Sequence, residues 1–279
     1  KAAEWRAAKI IRLLQAVTNP RLMIEDDATF DLKRLKGTEE NVEILKKIAK
    51  LSEKEISPKL VKAAKIAEDL INGKGKYSEN SKRNVLIYTL FRGNGKLLEK
   101  LLQKYDPLVV SGEISIEGRE DRILEFKNWD PGKESHGKIL IATLGSIAEA
   151  VSLHMHKGRT VCRDVIYLER SYNAGQYMQS LYRVYRIGSL KTKNITYHVL
   201  ESKTTDGGNT IDSDIDSTLS HRTKRMNELL NDKMNLSRIS LGEDYDANDD
   251  KSIMYSFEEG DDLGDILKRV QKLTKKKNR

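Results

Sequence analysis

The chain has 279 residues, of which 33% are charged and 38% hydrophobic, and its net charge is +8 at neutral pH. This length supports a sizeable core, and no stretch approaches the roughly 18 apolar residues that a membrane span needs. The single cysteine, Cys162, excludes an internal disulfide and fits a reducing compartment. We therefore expect a cytoplasmic or, in a eukaryote, nuclear protein with no membrane partner.

The charge is unevenly distributed along the chain. Residues 243–265 hold ten acids and one lysine, whereas residues 266–279 hold seven bases and no acid. The sequence therefore predicts an acidic linker and a basic tail over residues 236–279. The preceding part of the chain is strongly basic. This charge suits a polyanionic partner, but surface charge that keeps the protein soluble explains it equally well.

The first part of the chain has the pattern of helices. Apolar residues recur at helical spacing over 4–23, and residues 37–71 predict two further helices, with Ser57-Pro58 opening the second. A polar, glycine-containing stretch follows at 72–83. We therefore predict a helical N-terminal segment over residues 1–76.

Strands and helices alternate in the next part, which we treat as one domain over residues 77–235. Continuous apolar runs predict buried strands at 84–91, 105–112, 138–144, 164–169 and 195–200. Helical patterns lie between most of them, at 94–105, 117–129 and 175–187, and a last helix is predicted at 210–234. This alternation is typical of an α/β protein with a mainly parallel sheet, whose ligands bind at the carboxyl ends of the strands.

Several of these segments carry motifs in a recognisable order. They are NVLIYTLF, VVSGEISIEGREDRILEFKN, KILIATLGSIAEAVSL, QSLYRVYRIGS and ITYHVLES, followed by the helix at 210–234. The set resembles, from about Ser57 to Leu230, the second RecA-like lobe of superfamily-two helicases, specifically the Swi/Snf-type DNA translocases. The resemblance implies a RecA-like α/β fold with an N-terminal helical segment and a C-terminal brace helix.

The resemblance also implies a function, that of the C-terminal motor lobe of an ATP-dependent DNA translocase or helicase acting on double-stranded DNA. The chain contains no Gly-Lys-Thr or Gly-Lys-Ser and no Asp-Glu box. ATP and Mg²⁺ are therefore expected to be held mainly by an N-terminal RecA-like lobe of the same protein. By itself, the present chain is expected to be inactive as an ATPase.

Two arginines stand three residues apart in an apolar, tyrosine-rich segment. In the family, a Gln-x-x-x-Arg-x-x-Arg-x-Gly helix faces the cleft between lobes, and the matching residues here are Gln179, Arg183, Arg186 and Gly188. Positions i and i+3 share a helix face, so both guanidinium groups could act as arginine fingers on the γ-phosphate. The structural alternative is that both arginines pair with acids such as Glu169 or Glu201.

Two loops resemble contact loops of the family. ATLGSIAEAVSL places Thr143 near the nucleic-acid backbone, and Glu149 and Ala150 near the nucleotide. SGEISIEGRED offers Ser111, Gly112 and Arg119 as phosphate contacts. The structural alternatives are an ordinary strand-to-helix turn and a tight turn beside a surface arginine.

Three other features carry weaker signals. Arg92 and Lys96 could reach a phosphate, but a solvated loop is the expected location for both. The histidines of His154-Met155-His156 lack a second cluster that would complete a metal site, so no metal is expected. Cys162 has no suggestive basic neighbour and is expected to be inert.

Two alternative functions stay open at the level of sequence. One is an RNA-directed helicase lobe, which would more often show His-Arg-x-Gly-Arg where this chain has Tyr182 to Arg186. The other is a non-catalytic nucleic-acid-binding RecA-like domain. The departures from the family pattern at Ala150, Tyr182 and Ser189 give the second alternative some weight.

Overall fold

The computed structural model describes residues 2–23, 43, 46–47, 50, 55–75, 81–147, 152–185 and 195–229. The chain divides into two compact units. The first unit comprises Lys1–Ser57, Glu201–Thr218 and Asp244–Arg279, and the second comprises Pro58–Leu200 and Leu219–Glu243. The division into domains predicted from the sequence, with boundaries after residues 76 and 235, stays a prediction.

The second unit is built around a five-stranded parallel sheet. Its strands are β1 (Val85–Thr89), β2 (Leu108–Val110), β3 (Ile139–Thr143), β6 (Asp164–Tyr167) and β7 (Thr196–Val199), in the order β2-β3-β1-β6-β7. Every pair in this sheet is parallel. The five predicted strands are confirmed, and each is shorter than its apolar run by a few residues.

Helices cover both faces of the sheet. They are α2 (Pro58–Ile71), α3 (Arg92–Leu101), α4 (Ile116–Asn128) and α5 (Ala174–Val184). One face buries Ile87, Ile141 and Ile166 in a common cluster with Leu60 of α2 and Leu98 of α3. This arrangement is the RecA-like α/β fold, so the predicted fold class is confirmed.

Two tyrosines of the strands stack on the other face of the sheet. The rings of Tyr88 and Tyr167 stack with centroids 5.3 Å apart, and Tyr177 of α5 meets Tyr167 edge-on at 5.4 Å. The Tyr167 hydroxyl is 2.6 Å from the Ser180 hydroxyl of the same helix. This hydrogen bond holds α5 in position on the sheet, because burying the Tyr167 hydroxyl without a partner would cost free energy.

The helix α5 is shorter than predicted. Asn173 caps its start by accepting a hydrogen bond of 3.0 Å from the Gln176 N–H, and Tyr185 ends it in an extended conformation. The predicted helix ran to residue 187. Arg186 lies outside the described residues, so the predicted shared helix face of Arg183 and Arg186 stays a prediction.

Charged and thiol groups are buried at the amino-terminal edge of the sheet. The Asp164 carboxylate lies 3.1 Å from the Arg83 guanidinium and 3.2 Å from the His198 ring. Cys162 is buried beside them, and burial is the main cause that raises the pKa of its thiol to about 12. The thiolate is therefore disfavoured at neutral pH, in agreement with the expectation of an inert cysteine.

A small hairpin lies outside the elements predicted from the sequence. Strands β4 (Met155–His156) and β5 (Arg159–Thr160) pair antiparallel around the two-residue turn Lys157-Gly158. Both turn residues have positive φ, 49° and 73°, which is the signature of a type I′ turn. The alternating histidines that suggested a metal motif therefore lie at this hairpin, on either side of the exposed Met155.

Two stretches of the first unit, residues 2–23 and 201–218, carry most of its described structure. It contains the helix α1 (Ala2–Thr18), a 3₁₀ turn at Pro20–Met23 and a loop that leads into the helix α6 (Ile211–Leu229). The Ser202 hydroxyl donates to the Val17 carbonyl at 2.9 Å, and Asp212 accepts from the Ser202 N–H at 2.8 Å. The predicted helices at 4–23 and 210–234 are confirmed over their described residues.

Candidate phosphate-binding site

The carboxyl ends of three neighbouring strands open into one cavity. Because the strands are parallel, Thr89 at the end of β1, Ser111 just after β2 and Thr143 at the end of β3 meet at this edge. All three line a cavity of about 230 Å³. Two of the predicted nucleic-acid contacts, Ser111 and Thr143, thus lie in the same cavity although 32 positions of sequence separate them.

The helix α3 supplies two cations to the same cavity. Arg92 and Lys96 lie on its first turns and line the cavity, so the expectation of a solvated loop for them is wrong. Their charged groups flank Glu113, with the Arg92 guanidinium 3.0 Å and the Lys96 ammonium 3.3 Å from its carboxylate. All three side chains are between 39% and 54% exposed. We call these three residues the Arg92–Glu113–Lys96 cluster.

Hydrogen bonds hold the floor and walls of the cavity in place. The Ser146 hydroxyl donates to the Val110 carbonyl at 3.0 Å and also contacts the Thr143 hydroxyl. Arg122 of α4 lines the cavity and donates to the Val109 carbonyl. The loop after β3 is therefore tied to the end of β2, which keeps the two predicted contact residues together.

A buried carboxylate lies behind Thr89. Glu169 is 1% exposed and accepts hydrogen bonds from the Thr89 hydroxyl at 3.2 Å, the Leu90 N–H at 3.1 Å and the Asn94 side chain. Burial raises its pKa to about 7, although these donors and the charge of Lys59 act in the opposite direction. Glu169 thus joins the end of β6 to the end of β1 and to the start of α3.

Of the other predicted backbone contacts, Gly112 lies on the loop that enters α4 and Arg119 lies on the first turn of α4. Gly112 is exposed, and no atom lies within 4 Å of the position that a Cβ would take there, so its α-carbon faces open space. Arg119 donates from Nε to the Ile114 carbonyl at 2.9 Å. Ile114 lines the cavity, so this hydrogen bond joins Arg119 to a cavity-lining residue.

Two of the predicted nucleotide-contacting residues, Gln179 and Arg183, lie on α5. Gln179 and Arg183 line a small depression together with Tyr88, Leu144, Ile147, Gln176 and Ser180. Burial raises the pKa of Tyr88, and the nearby positive charge of Arg183 opposes that shift. Arg186, Gly188, Glu149 and Ala150 lie outside the described residues.

Backbone contacts fix the last turn of α5, which carries Arg183. The Tyr197 hydroxyl donates to the Leu181 carbonyl at 2.9 Å, and the Leu153 N–H donates to the Arg183 carbonyl at 2.8 Å. The half-buried Arg183 side chain thus projects from a backbone held by both β7 and the loop before β4.

The described ranges offer neither a metal site nor a membrane span. Within them, no three His, Cys, Asp or Glu side chains converge on a site that could hold a metal ion. No helix in those ranges has the length and apolarity to cross a membrane.

The sequence signals for the cluster were present but incomplete. Arg92 and Lys96 are spaced i, i+4 at the start of an amphipathic segment, which could have indicated one helix face. Glu113 directly follows the predicted Ser-Gly phosphate contact. Their association could not be inferred, because it depends on β2 and β1 flanking β3 in the sheet.

The chain is similar to solved structures of the C-terminal parts of two ATPases. The C-terminal part of the Fun30 ATPase domain is 18% identical over 75% of this chain and 70% of that chain, with a TM-score of 0.46. The C-terminal domain of the Sulfolobus solfataricus SWI2/SNF2 ATPase is 20% identical over 79% of this chain and 84% of that chain, with a TM-score of 0.40.

A third similar structure contains nucleic acid. It is the Sulfolobus solfataricus SWI2/SNF2 ATPase core in complex with dsDNA, 23% identical over 79% of this chain and 43% of that chain, with a TM-score of 0.44. No protein-family model and no curated protein sequence matches the chain.

Proposed function

We propose that this chain is the C-terminal motor lobe of an ATP-dependent DNA translocase of the Swi/Snf type, and that it binds the backbone of duplex DNA. The observation that carries the proposal is the single cavity in which Ser111 and Thr143 meet two cations, Arg92 and Lys96. Ligands of open parallel sheets bind at this edge, and hydroxyl groups beside cations suit phosphate oxygens.

The residues of the cavity suit a phosphate and not a base. Serine and threonine hydroxyls, a guanidinium and an ammonium contact phosphate oxygens without reading sequence. The apolar members of the cavity lining are aliphatic and offer a base little on which to stack; they are Val109, Val110, Ile114 and Ile141. Binding is therefore expected to be independent of sequence and sensitive to salt.

In the same proposal, ATP and Mg²⁺ belong to the N-terminal RecA-like lobe, and the present chain contributes Arg183 and Arg186. ATP hydrolysis needs positive charge on the transferring phosphoryl oxygens, and an arginine supplied from outside the nucleotide site provides it. Arg183 meets the first requirement for such a role, because its half-buried side chain stands on a firmly held turn. Gln179, one turn earlier, lines the same depression.

The DNA part of the proposal is tested with two alanine variants of α3. Lys96 lines the cavity, whereas Lys100 is an exposed lysine one turn further along the same helix. In titrations of a fluorescent duplex of about 20 base pairs at several salt concentrations, we expect Lys96→Ala to weaken binding. It should also reduce the slope of log affinity against log salt by about 0.9. Lys100→Ala should behave like the wild-type chain.

Equal losses in both variants would mean that general surface charge holds the DNA, and would contradict the cavity as the binding site. The same titration with an RNA duplex separates the RNA alternative from the proposal, because an RNA-directed lobe should prefer that probe. A wild-type chain with no salt-dependent affinity for either duplex would overturn the nucleic-acid function.

A further inference from the structure

The carboxylate of Glu113 lies between two of the cations that line the cavity, Arg92 and Lys96, at a position that suits an anionic ligand. The Arg92 guanidinium is 3.0 Å and the Lys96 ammonium 3.3 Å from its oxygens. We propose that Glu113 is an internal competitor of the DNA phosphate, which sets the affinity and the salt dependence of the cavity. This inference rests on the proposed function.

The chemistry of the two anions is interchangeable at this position. A carboxylate and a phosphate both present paired oxygens to a guanidinium fork, and both attract an ammonium group. A phosphate that enters between Arg92 and Lys96 therefore takes over contacts that Glu113 already makes. The two anions cannot hold the same donors at once without like-charge repulsion.

The local backbone allows the Glu113 side chain to move away from Arg92 and Lys96 without a change in the fold. Glu113 stands on the turn from Ser111 to Ile114, which is closed by a hydrogen bond of 3.2 Å between the Ile114 N–H and the Ser111 carbonyl. The neighbouring Gly112 has open space around its α-carbon. Displacement therefore needs only a rotation of one exposed side chain.

The ion pairs of Glu113 with Arg92 and Lys96 are weak, and this weakness makes the exchange selective for a polyanion over a small anion. Ion pairs of partly exposed side chains are weak and screened by salt. A polyanion gains from the release of its condensed counterions, and a small monovalent anion does not. Glu113 should therefore reject isolated anions while it yields to a phosphodiester backbone.

The opposite role for Glu113 predicts a change in DNA affinity of the opposite sign. If the carboxylate served to hold Arg92 and Lys96 in position for DNA, its neutralisation would weaken binding. As a competitor, its neutralisation should strengthen binding. The variant Glu113→Gln keeps the size of the side chain and removes only the charge, so the direction of the change decides between the two roles.

The experiment measures binding of the same fluorescent duplex to the whole 279-residue chain. We expect Glu113→Gln to bind the duplex about three- to tenfold more tightly at low salt, with a steeper dependence on salt. The matched control is Glu117→Gln, which changes the net charge equally at an exposed position on the first turn of α4. Its affinity should stay close to that of the wild type.

A double-mutant cycle tests whether the increase in DNA affinity of Glu113→Gln depends on Arg92 and Lys96. In a chain that carries Arg92→Ala and Lys96→Ala, the additional change Glu113→Gln should give no more tightening than Glu117→Gln does. Thermal unfolding of each variant verifies that the exposed substitutions leave the fold intact.

The outcomes separate this inference from the proposed function. Wild-type binding that depends on Lys96 but is unchanged or weakened in Glu113→Gln overturns the competitor role and leaves the proposed function standing. Tightening in Glu113→Gln that persists without Arg92 and Lys96 also overturns it, as a general charge effect. Failure of both the wild type and Glu113→Gln to bind duplex DNA overturns both proposals.

Discussion

At the scale of single residues, the buried Glu169 has the most direct consequence for stability. Burial raises its pKa in the folded chain to about 7 from an ordinary value of 4.5. Between these two values the folded state binds more protons than the unfolded state. The contribution of Glu169 to stability is therefore fully present below about pH 4.5, falls as the pH rises, and is lost above about pH 7.

We expect Glu169→Gln to remove this pH dependence. The free energy of unfolding of the wild type, relative to the variant, should fall by roughly 3 kcal/mol between about pH 4.5 and pH 7.5, because a tenfold change in a protonation equilibrium corresponds to about 1.4 kcal/mol. Urea denaturation of both chains at closely spaced pH values measures the difference directly. Parallel profiles for the two chains would show that Glu169 keeps its ordinary pKa.

The same residue shows what could be predicted from the sequence and what could not. Ser111 and Thr143 are predicted contacts because they match the contact loops of a known family, and both stand near the carboxyl ends of apolar runs. Glu169 also follows such a run, yet from the sequence it was considered only as a partner for arginines. Its hydrogen-bond donors come from the neighbouring strand β1 and the residues after it. The local sequence pattern does not predict which strands are neighbours in a sheet, so these donors could not be predicted.

At the scale of elements, the hairpin β4–β5 carries backbone strain at its turn. Lys157 has φ of 49°, in a region that costs a residue with a Cβ about 1–2 kcal/mol and that Asn and Gly tolerate better. The Lys157 ammonium contacts the Asn128 side chain at 3.1 Å, but this contact is exposed and contributes little. The strain is therefore the larger of the two effects.

We expect Lys157→Asn to raise the free energy of unfolding by up to about 1 kcal/mol, because asparagine adopts the left-handed conformation more readily. The paired substitution Gly158→Ala should lower it by about 1–2 kcal/mol. Nothing lies within 4 Å of a Cβ at Gly158, so the loss there would be one of backbone conformation alone. Urea denaturation measures both, and a loss of stability in Lys157→Asn would mean that the Asn128 contact outweighs the strain.

The element boundaries also show the limit of periodicity. The run at 175–187 kept its apolar spacing to Ile187, and nothing in that spacing marks an end at Val184. The end is set by tertiary contacts, since β7 provides the Tyr197 hydroxyl for the Leu181 carbonyl and the loop before β4 binds the Arg183 carbonyl. Contacts of this kind override local propensity.

At the scale of the whole molecule, the chain by itself should not hydrolyse ATP. It contains neither a Gly-Lys-Thr or Gly-Lys-Ser loop nor an Asp-Glu box, and arginines that act on a nucleotide held elsewhere cannot replace these groups. We expect no duplex-stimulated release of phosphate from ATP by the purified 279-residue chain. Turnover that survives purification and is lost in Arg183→Ala would contradict this expectation and would place a complete nucleotide site in this chain.

The order of strands has a consequence for the synthesis of the protein. Among the strands of the sheet, β1 is the first to leave the ribosome, yet it is central and pairs with β3 and β6, so that Val85 meets both Ile139 and Asp164. All of its residues are buried. At about 5–20 residues per second, translation leaves this apolar strand without its neighbours for several seconds. The nascent chain therefore passes through an interval in which sheet formation cannot yet bury this strand, and we expect chaperone binding to limit its aggregation during that interval.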